Sequence, residues 1–155
     1  MNIATFAAGC FWGVEARFRQ INGVVETRVG YTAGNTPDPD YKLVCTGQTG
    51  HAEAIEIQFD PEVISYRQLL EAFWQMHNPT TLNRQGPDVG TQYRSAVFYH
   101  DADQKQQAET LKSELNQSEQ FAGTIVTEIT AASIFYPAED YHQCYLEKRG
   151  QGSCH

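Results

Sequence analysis

An α+β fold is predicted for this chain: a two-layer α/β sandwich in which helices pack on a mixed sheet. Three observations carry that expectation. Segments of period two alternate with segments of period 3.6 in the order β-α-β-β-α-β, then α-β-α, and the first six match a split β-α-β plan. The chain has 155 residues, 41% hydrophobic and 19% charged, enough to build one core and too apolar to stay disordered. Nothing along it reads as a linker, so a single domain over 1–155 is expected.

The elements follow in order. Asn2–Ala7 is a first strand. Phe11, Val14, Phe18 and Ile21 then recur at helical spacing, giving a helix from about Gly13 to Gln20. Gly23 to Tyr31 is β-branched and aromatic, a second strand. Thr32 to Gly50 has no strong period and room for one helical turn at Tyr41–Cys45; irregular stretches this long usually carry function. His51 to Phe59 is a third strand, with Ile55, Ile57 and Phe59 on one face and Glu56 and Gln58 on the other; period two puts Glu53 and His51 on the apolar side. Ser65 with Gln68 forms a capping box opening a helix that ends near Asn78-Pro79, with Tyr66, Leu69, Leu70 and Phe73 inward. A second irregular stretch, Thr80 to Gln92, precedes a strand at Ser95–Tyr99. Asp101 and Gln104 open a helix bearing Ala108, Leu111 and Leu115. Thr124–Ala131 reads as a fifth strand, and Pro137-Ala138-Glu139 as the start of a last helix reaching about Lys148. Residues 149–155 form a coil-rich tail expected to be mobile.

Composition removes several function classes. A net charge of −8 and a pI near 5.0 argue against nucleic acid, whose binding needs a basic face. No apolar run approaches the ~20 residues that span a bilayer, so no membrane partner is expected. With no basic or apolar leader ahead of the first strand, a cytoplasmic setting is expected, with the chain a monomer. Four cysteines, Cys10, Cys45, Cys144 and Cys154, do not make a disulfide scaffold at this size. They read as catalytic, redox or metal thiols.

Cys10 sits between Gly9 and the pair Phe11-Trp12, at or just before a helix N-terminus. Helix dipole and free N–H groups there favour a thiolate and a depressed pKa, the setting of a nucleophile. The plain alternative is a small buried hydrophobe. Glu53 on an apolar strand face must pair or keep its proton. As a general acid it needs a pKa raised by about two to three units, since free Glu at pH 7 is only ~0.2% protonated; otherwise it is a strand-end residue near water. His51 is either a base for Cys10 or a core histidine satisfied by backbone. Tyr41 and Tyr93 are phenols in the two irregular stretches. Asp88 is an orienting carboxylate or a turn former. Glu139 and Asp140 are explained by helix-capping chemistry. His142, Cys144, Cys154 and His155 could supply zinc ligands, but their spacing matches no closed site.

Taken together, Gly9-Cys10-Phe11-Trp12-Gly13, Tyr41 with Val44 to Glu53, Gln85 to Ser95, and Tyr136 to Gln143 resemble the type A peptide methionine sulfoxide reductases, over nearly the whole chain and in the right order. The oxidation ladder of methionine includes this repair chemistry for one sulfoxide epimer. The resemblance implies a sandwich with a ferredoxin-like core and a thiol-dependent reduction of methionine S-sulfoxide, free or in proteins. It implies Cys10 as nucleophile, Glu53 as acid, Tyr41 and Tyr93 as donors to the sulfoxide oxygen, and Asp88 as polar orienter. Phe11 and Trp12 would seat the methyl group. No cofactor or metal is implied, and thioredoxin is the implied reductant. Cys154 resembles the C-terminal resolving cysteine, although Lys148 to Cys154 lacks the usual Asn-Pro and the Tyr before it. Cys144 is an extra thiol that could resolve directly or relay, and Cys45 is expected to stay buried and reduced. Ala33 stands where a glycine is frequent. Two rival readings differ in class: a papain-like cysteine hydrolase using His51 or His142 as base, and a non-catalytic zinc module.

Overall fold

The computed structural model describes residues 2–118 and 120–148. Its strands are β1 (Asn2–Ala8), β2 (Val24–Thr32), β3 (Ala52–Phe59), β4 (Arg84–Gln85), β5 (Asp88–Val89), β6 (Ser95–Tyr99), β7 (Glu128–Ala131) and β8 (Phe135–Pro137). Its helices are α1 (Phe11–Arg19), α2 (Tyr41–Cys45), α3 (Tyr66–Gln75), α4 (Ala102–Gln117) and α5 (Tyr145–Lys148).

Six strands form one mixed sheet in the order β7-β6-β1-β3-β2-β8. β3 lies antiparallel between β1 and β2, so those two run parallel with α1 as their crossover. β6 adds antiparallel to the free side of β1. These four strands are the expected split β-α-β core. β7 extends one edge in parallel through the α4 crossover and β8 extends the other antiparallel. β4 and β5 form a separate hairpin.

The main core gathers Phe6, Phe18, Val29, Ile55, Ile57, Phe59, Leu69, Leu70, Phe73 and Leu111. Burying side chains of this size contributes about 1.5–3 kcal/mol each. A smaller cluster of Ala7, Ala52, Ala54, Ala96 and Phe98, with Phe135 against it, occupies the sheet's other face. The alternation of β3 is therefore real, with Glu53 on the side of Ile55. At the start of α3 both halves of the capping box form: Ser65 accepts from the Gln68 N–H and Gln68 accepts from the Ser65 N–H. Asp101 likewise caps α4 by accepting from the Gln104 N–H.

Two expectations fail. The fifth strand begins at Glu128 rather than Thr124. The residues before it are tied to the end of α3: Val126 donates to the Pro79 carbonyl, and the Thr127 hydroxyl meets Trp74 and Ser95. The expected long last helix is replaced by β8 through Pro137, a 3-10 turn at Asp140–His142, and the short α5. The Gln143 amide is the cause. Its carbonyl accepts from the Val29 N–H and its amino group donates to the Val29 and Ala138 carbonyls, so it stands in for a strand residue beside β2. Cys144 follows with φ +53.

Candidate active site

Cys10 is the N-cap residue of α1, half-buried, with non-helical backbone and a carbonyl that accepts from Val14. Gly9 before it has φ +96, and a Cβ there would stand 2.8 Å from the Gln85 side chain. Only glycine lets β1 turn into α1 beneath that glutamine. Gln85 is itself pinned, accepting from the Asn78 N–H and donating to the Asn78 carbonyl. The thiol's acidity runs opposite to the helix-terminus expectation. Burial, reinforced by the Glu53 carboxylate, pushes it up to about 12, outweighing the Trp12 and Gly13 N–H groups that pull it down.

Glu53 is 1% exposed. Its Oε1 accepts from the Phe11 N–H at 3.1 Å, the first N–H of α1, while Oε2 has no partner. Burial, against the pull of that N–H and with the Asp88 charge adding, pushes it up to about 8. At pH 7 the carboxyl is then about nine-tenths protonated. A protonated Oε2 without a protein acceptor is a free hydrogen-bond donor and a proton source.

Tyr41 opens α2 behind the Asp40 cap, with Cys45 at the other end of that short helix. Tyr93 ends a 3-10 turn. Both phenols are held neutral, chiefly by burial and then by nearby charge: Cys45 for Tyr41, and Glu53, Cys45, Asp88 and Cys10 for Tyr93. Two phenols, a carboxylic acid and a thiol thus share one electrostatic neighbourhood. Asp88, in β5, lines a cleft of about 570 Å³ with Cys10, Gln85, Pro87, Arg17 and Met76.

Around Phe11 and Trp12, the two residues after Cys10, the aromatics assemble. The Phe11 ring lies 6.4 Å from Tyr41 and 5.3 Å from His142, and Trp12 stacks on Tyr145 at 4.0 Å. Part of this framework lay hidden in the sequence. Glu139 precedes the 3-10 turn but does not cap it with its side chain: the carboxylate accepts from the Tyr31 hydroxyl and the Tyr41 N–H, holding α2 to the sheet. Burial acts to raise its pKa, but these donors and its own backbone leave it lowered. Tyr31 faces Glu53 across the β2–β3 register, a signal that period-two reading of both strands could have supplied.

The remaining thiols separate. Cys45 is exposed rather than buried, because α2 turns Val44 into the core instead. Cys144 is half-buried, and its N–H donates to Glu15 Oε1 at 2.7 Å, more than one turn along α1 from Cys10. Cys10, Cys45 and Cys144 are all free thiols. Cys154 lies outside the described residues. His51 is a core histidine: Nδ1 accepts from the Gly34 N–H and Nε2 donates to the Thr36 carbonyl, leaving no nitrogen to serve Cys10 as base. His142 Nδ1 is likewise committed, to Trp12. Among the described residues no group of three His, Cys, Asp or Glu side chains is placed to hold a metal ion. Nor, among them, is any helix long and apolar enough to cross a membrane.

The model of a family described as peptide methionine sulfoxide reductase matches residues 2–155. The peptide methionine sulfoxide reductase MsrA of Methanosarcina acetivorans is 59% identical over 147 residues, covering 95% of this chain and 78% of that protein. Among solved structures, reduced Mxr1 from Saccharomyces cerevisiae superposes with a TM-score of 0.91 at 39% identity, covering 99% of this chain and 88% of the other. Mxr1 in complex with Trx2 superposes at 0.66 with 26% identity, covering 93% and 84%. The chain belongs to the peptide methionine sulfoxide reductase family.

Proposed function

We propose that this protein reduces methionine S-sulfoxide, free or within polypeptides, by thiol chemistry at Cys10. The observation that carries the reading is the buried Glu53 carboxyl, one oxygen held by the N–H that follows Cys10 and the other without a partner. A sulfoxide oxygen leaves sulfur poorly until it is protonated, and an acid with a pKa near 8 holds that proton ready at neutral pH.

The methyl group sits against Phe11 and Trp12, and Tyr41 and Tyr93 donate hydrogen bonds to the oxygen. Asp88 orients the polar part of the substrate. Cys10 sulfur attacks the sulfoxide sulfur while Glu53 gives its proton to the oxygen. Glu53 then recovers the proton that the Cys10 thiol loses. The oxygen passes to Cys10 as a sulfenic acid and methionine leaves, so sulfoxide plus thiol yields thioether plus sulfenic acid with no net proton change. A second thiol condenses with the sulfenic acid, releasing water and forming a disulfide. Cys154 fills that role, with Cys144 as relay or substitute. A thioredoxin-class dithiol then restores both thiols, a partner suggested by the Mxr1–Trx2 complex. A resting state that needs free thiols fits a reducing cytoplasm.

The test counts thiols before and after one equivalent of methionine S-sulfoxide and maps the disulfide. Loss of two thiols with Cys10 bridged to Cys154 is expected; no thiol loss overturns the reading. A Cys10–Cys144 bridge lacking Cys154 reassigns the resolving step. Turnover with dithiothreitol on sulfoxide and none on acyl substrates separates it from a cysteine hydrolase.

A further inference from the structure

We propose that His142 is a positioning residue for the substrate seat, holding the Trp12 indole in place by accepting its N–H. The inference rests on the reading of Phe11 and Trp12 as the methyl seat.

Trp12 Nε1 lies 2.8 Å from His142 Nδ1. An indole N–H can only donate, so Nδ1 is the bare nitrogen and the imidazole proton sits on Nε2. His142 is 1% exposed, and Nε2 has no hydrogen-bond partner. The ring lies among Phe11, Trp12, Tyr41 and Tyr141, with centroids at 5.3, 5.5, 4.5 and 4.1 Å. A leucine fills such an apolar box without the cost of burying an unpaired N–H. What the imidazole adds is the acceptor at Nδ1, and that acceptor is directed at Trp12.

The indole needs such an anchor. It stacks on Tyr145, nearly parallel at 11°, and lies at 21° to the Tyr41 ring 6.3 Å away; stacking sets the plane of the indole but gives no directional contact within that plane. The hydrogen bond at the ring edge supplies that directional contact. His142 also packs against Tyr41 and Phe11, so one side chain sets two walls of the seat and one phenol.

The test compares H142L, which keeps bulk and removes the acceptor, with H142N, whose Oδ1 occupies the place of Nδ1. The chain has two tryptophans, and Trp74, which donates to Thr127, is an internal control for indole N–H resonances in a ¹⁵N spectrum. In H142L the Trp12 resonance moves and that of Trp74 stays. Half-saturation by methionine S-sulfoxide in single-turnover reduction rises about five- to tenfold, the worth of one neutral hydrogen bond. The maximal rate changes less than about twofold. H142N behaves as the parent, and H142L adds nothing in a W12F background, where the donor is gone. An unmoved Trp12 resonance, a lost maximal rate at unchanged half-saturation, or an H142N as impaired as H142L overturns the proposal. Should H142L not fold, H142Q, which shifts the acceptor toward the Nε2 position, replaces it with the same expectations. A parent protein that reduces no sulfoxide sinks the functional reading, while the resonance test of the His142 anchor still stands.

Discussion

Glu53 decides the chemistry at the scale of single residues, because its two oxygens have different fates. The Phe11 N–H fixes Oε1, and Oε2 is left to act. Replacing the acid by its amide keeps size and removes the transferable proton. Glu53→Gln is expected to slow single-turnover sulfoxide reduction by about 10²–10⁴-fold, the usual worth of general acid catalysis. Cys10 stays alkylatable, which separates lost acid catalysis from a lost nucleophile; a rate within tenfold of the parent would remove Glu53 from the acid role. The pH profile follows from the same group. With Glu53 pushed up to about 8 and Cys10 to about 12, the reactive form carries both protons near neutrality. The single-turnover rate should be level below about pH 7 and fall about tenfold per unit above pH 8, and the alkaline fall should vanish in E53Q. A rate that instead climbs from pH 7 to 10 would mean that thiolate formation limits the reaction.

Between elements, the informative place is the junction of β2, β8 and the C-terminal segment. Gln143 supplies three hydrogen bonds there from one amide, two of them to Val29 in β2. Gln143→Ala leaves the buried Val29 N–H and carbonyl without those partners, at a cost of about 1–3 kcal/mol. The melting temperature should fall by about 3–8 °C, with amide exchange at Val29 and Ala138 accelerated ahead of the α3 core; unchanged protection at both amides would show that the side chain is not acting as a strand. This junction also shows why the last helix was misread. Acidic residues after a proline form a helix-start signature whether or not a helix follows. Local patterning cannot register that Glu139 is taken by Tyr31 and Tyr41, or that Gln143 is taken by Val29, 114 positions away. By contrast the capping box at Ser65 and the cap at Asp101 were legible because both partners lie within four residues. Glu53 was legible because period two ties it to Ile55. Cys45 was not, since a five-residue helix has no periodicity long enough to say which side faces in.

Across the whole molecule, stability and function pull on the same buried groups. Glu53 has a folded pKa near 8 against an ordinary 4.5. Between those values the unfolded chain gives up its proton and the folded one keeps it, so stability is fully present below about pH 4.5 and is lost as pH rises through 8. His77 works on the other limb. Burial lowers it from 6.5 to about 4 despite its bond to the Phe73 carbonyl. Its contribution is complete above pH 6.5 and is lost as pH falls toward 4. The two slopes oppose each other between about pH 4.5 and 6.5, and above that Glu53 alone declines. The site is therefore maintained at a cost that grows toward alkaline pH. Glu53→Gln removes the ionisable group while keeping an amide able to accept the Phe11 N–H. It should melt higher than the parent at pH 8, by about 5–10 °C for a gain of a few kcal/mol. The gap should narrow to about 1 kcal/mol at pH 5, where Glu53 is protonated in the folded protein and about three-quarters ionised in the unfolded one. Melting curves of both proteins at pH 5, 6.5 and 8 measure this directly. An E53Q protein equal to the parent at all three values would mean that burial does not hold the carboxyl protonated, and the acid assignment would lose its physical basis along with the stability argument.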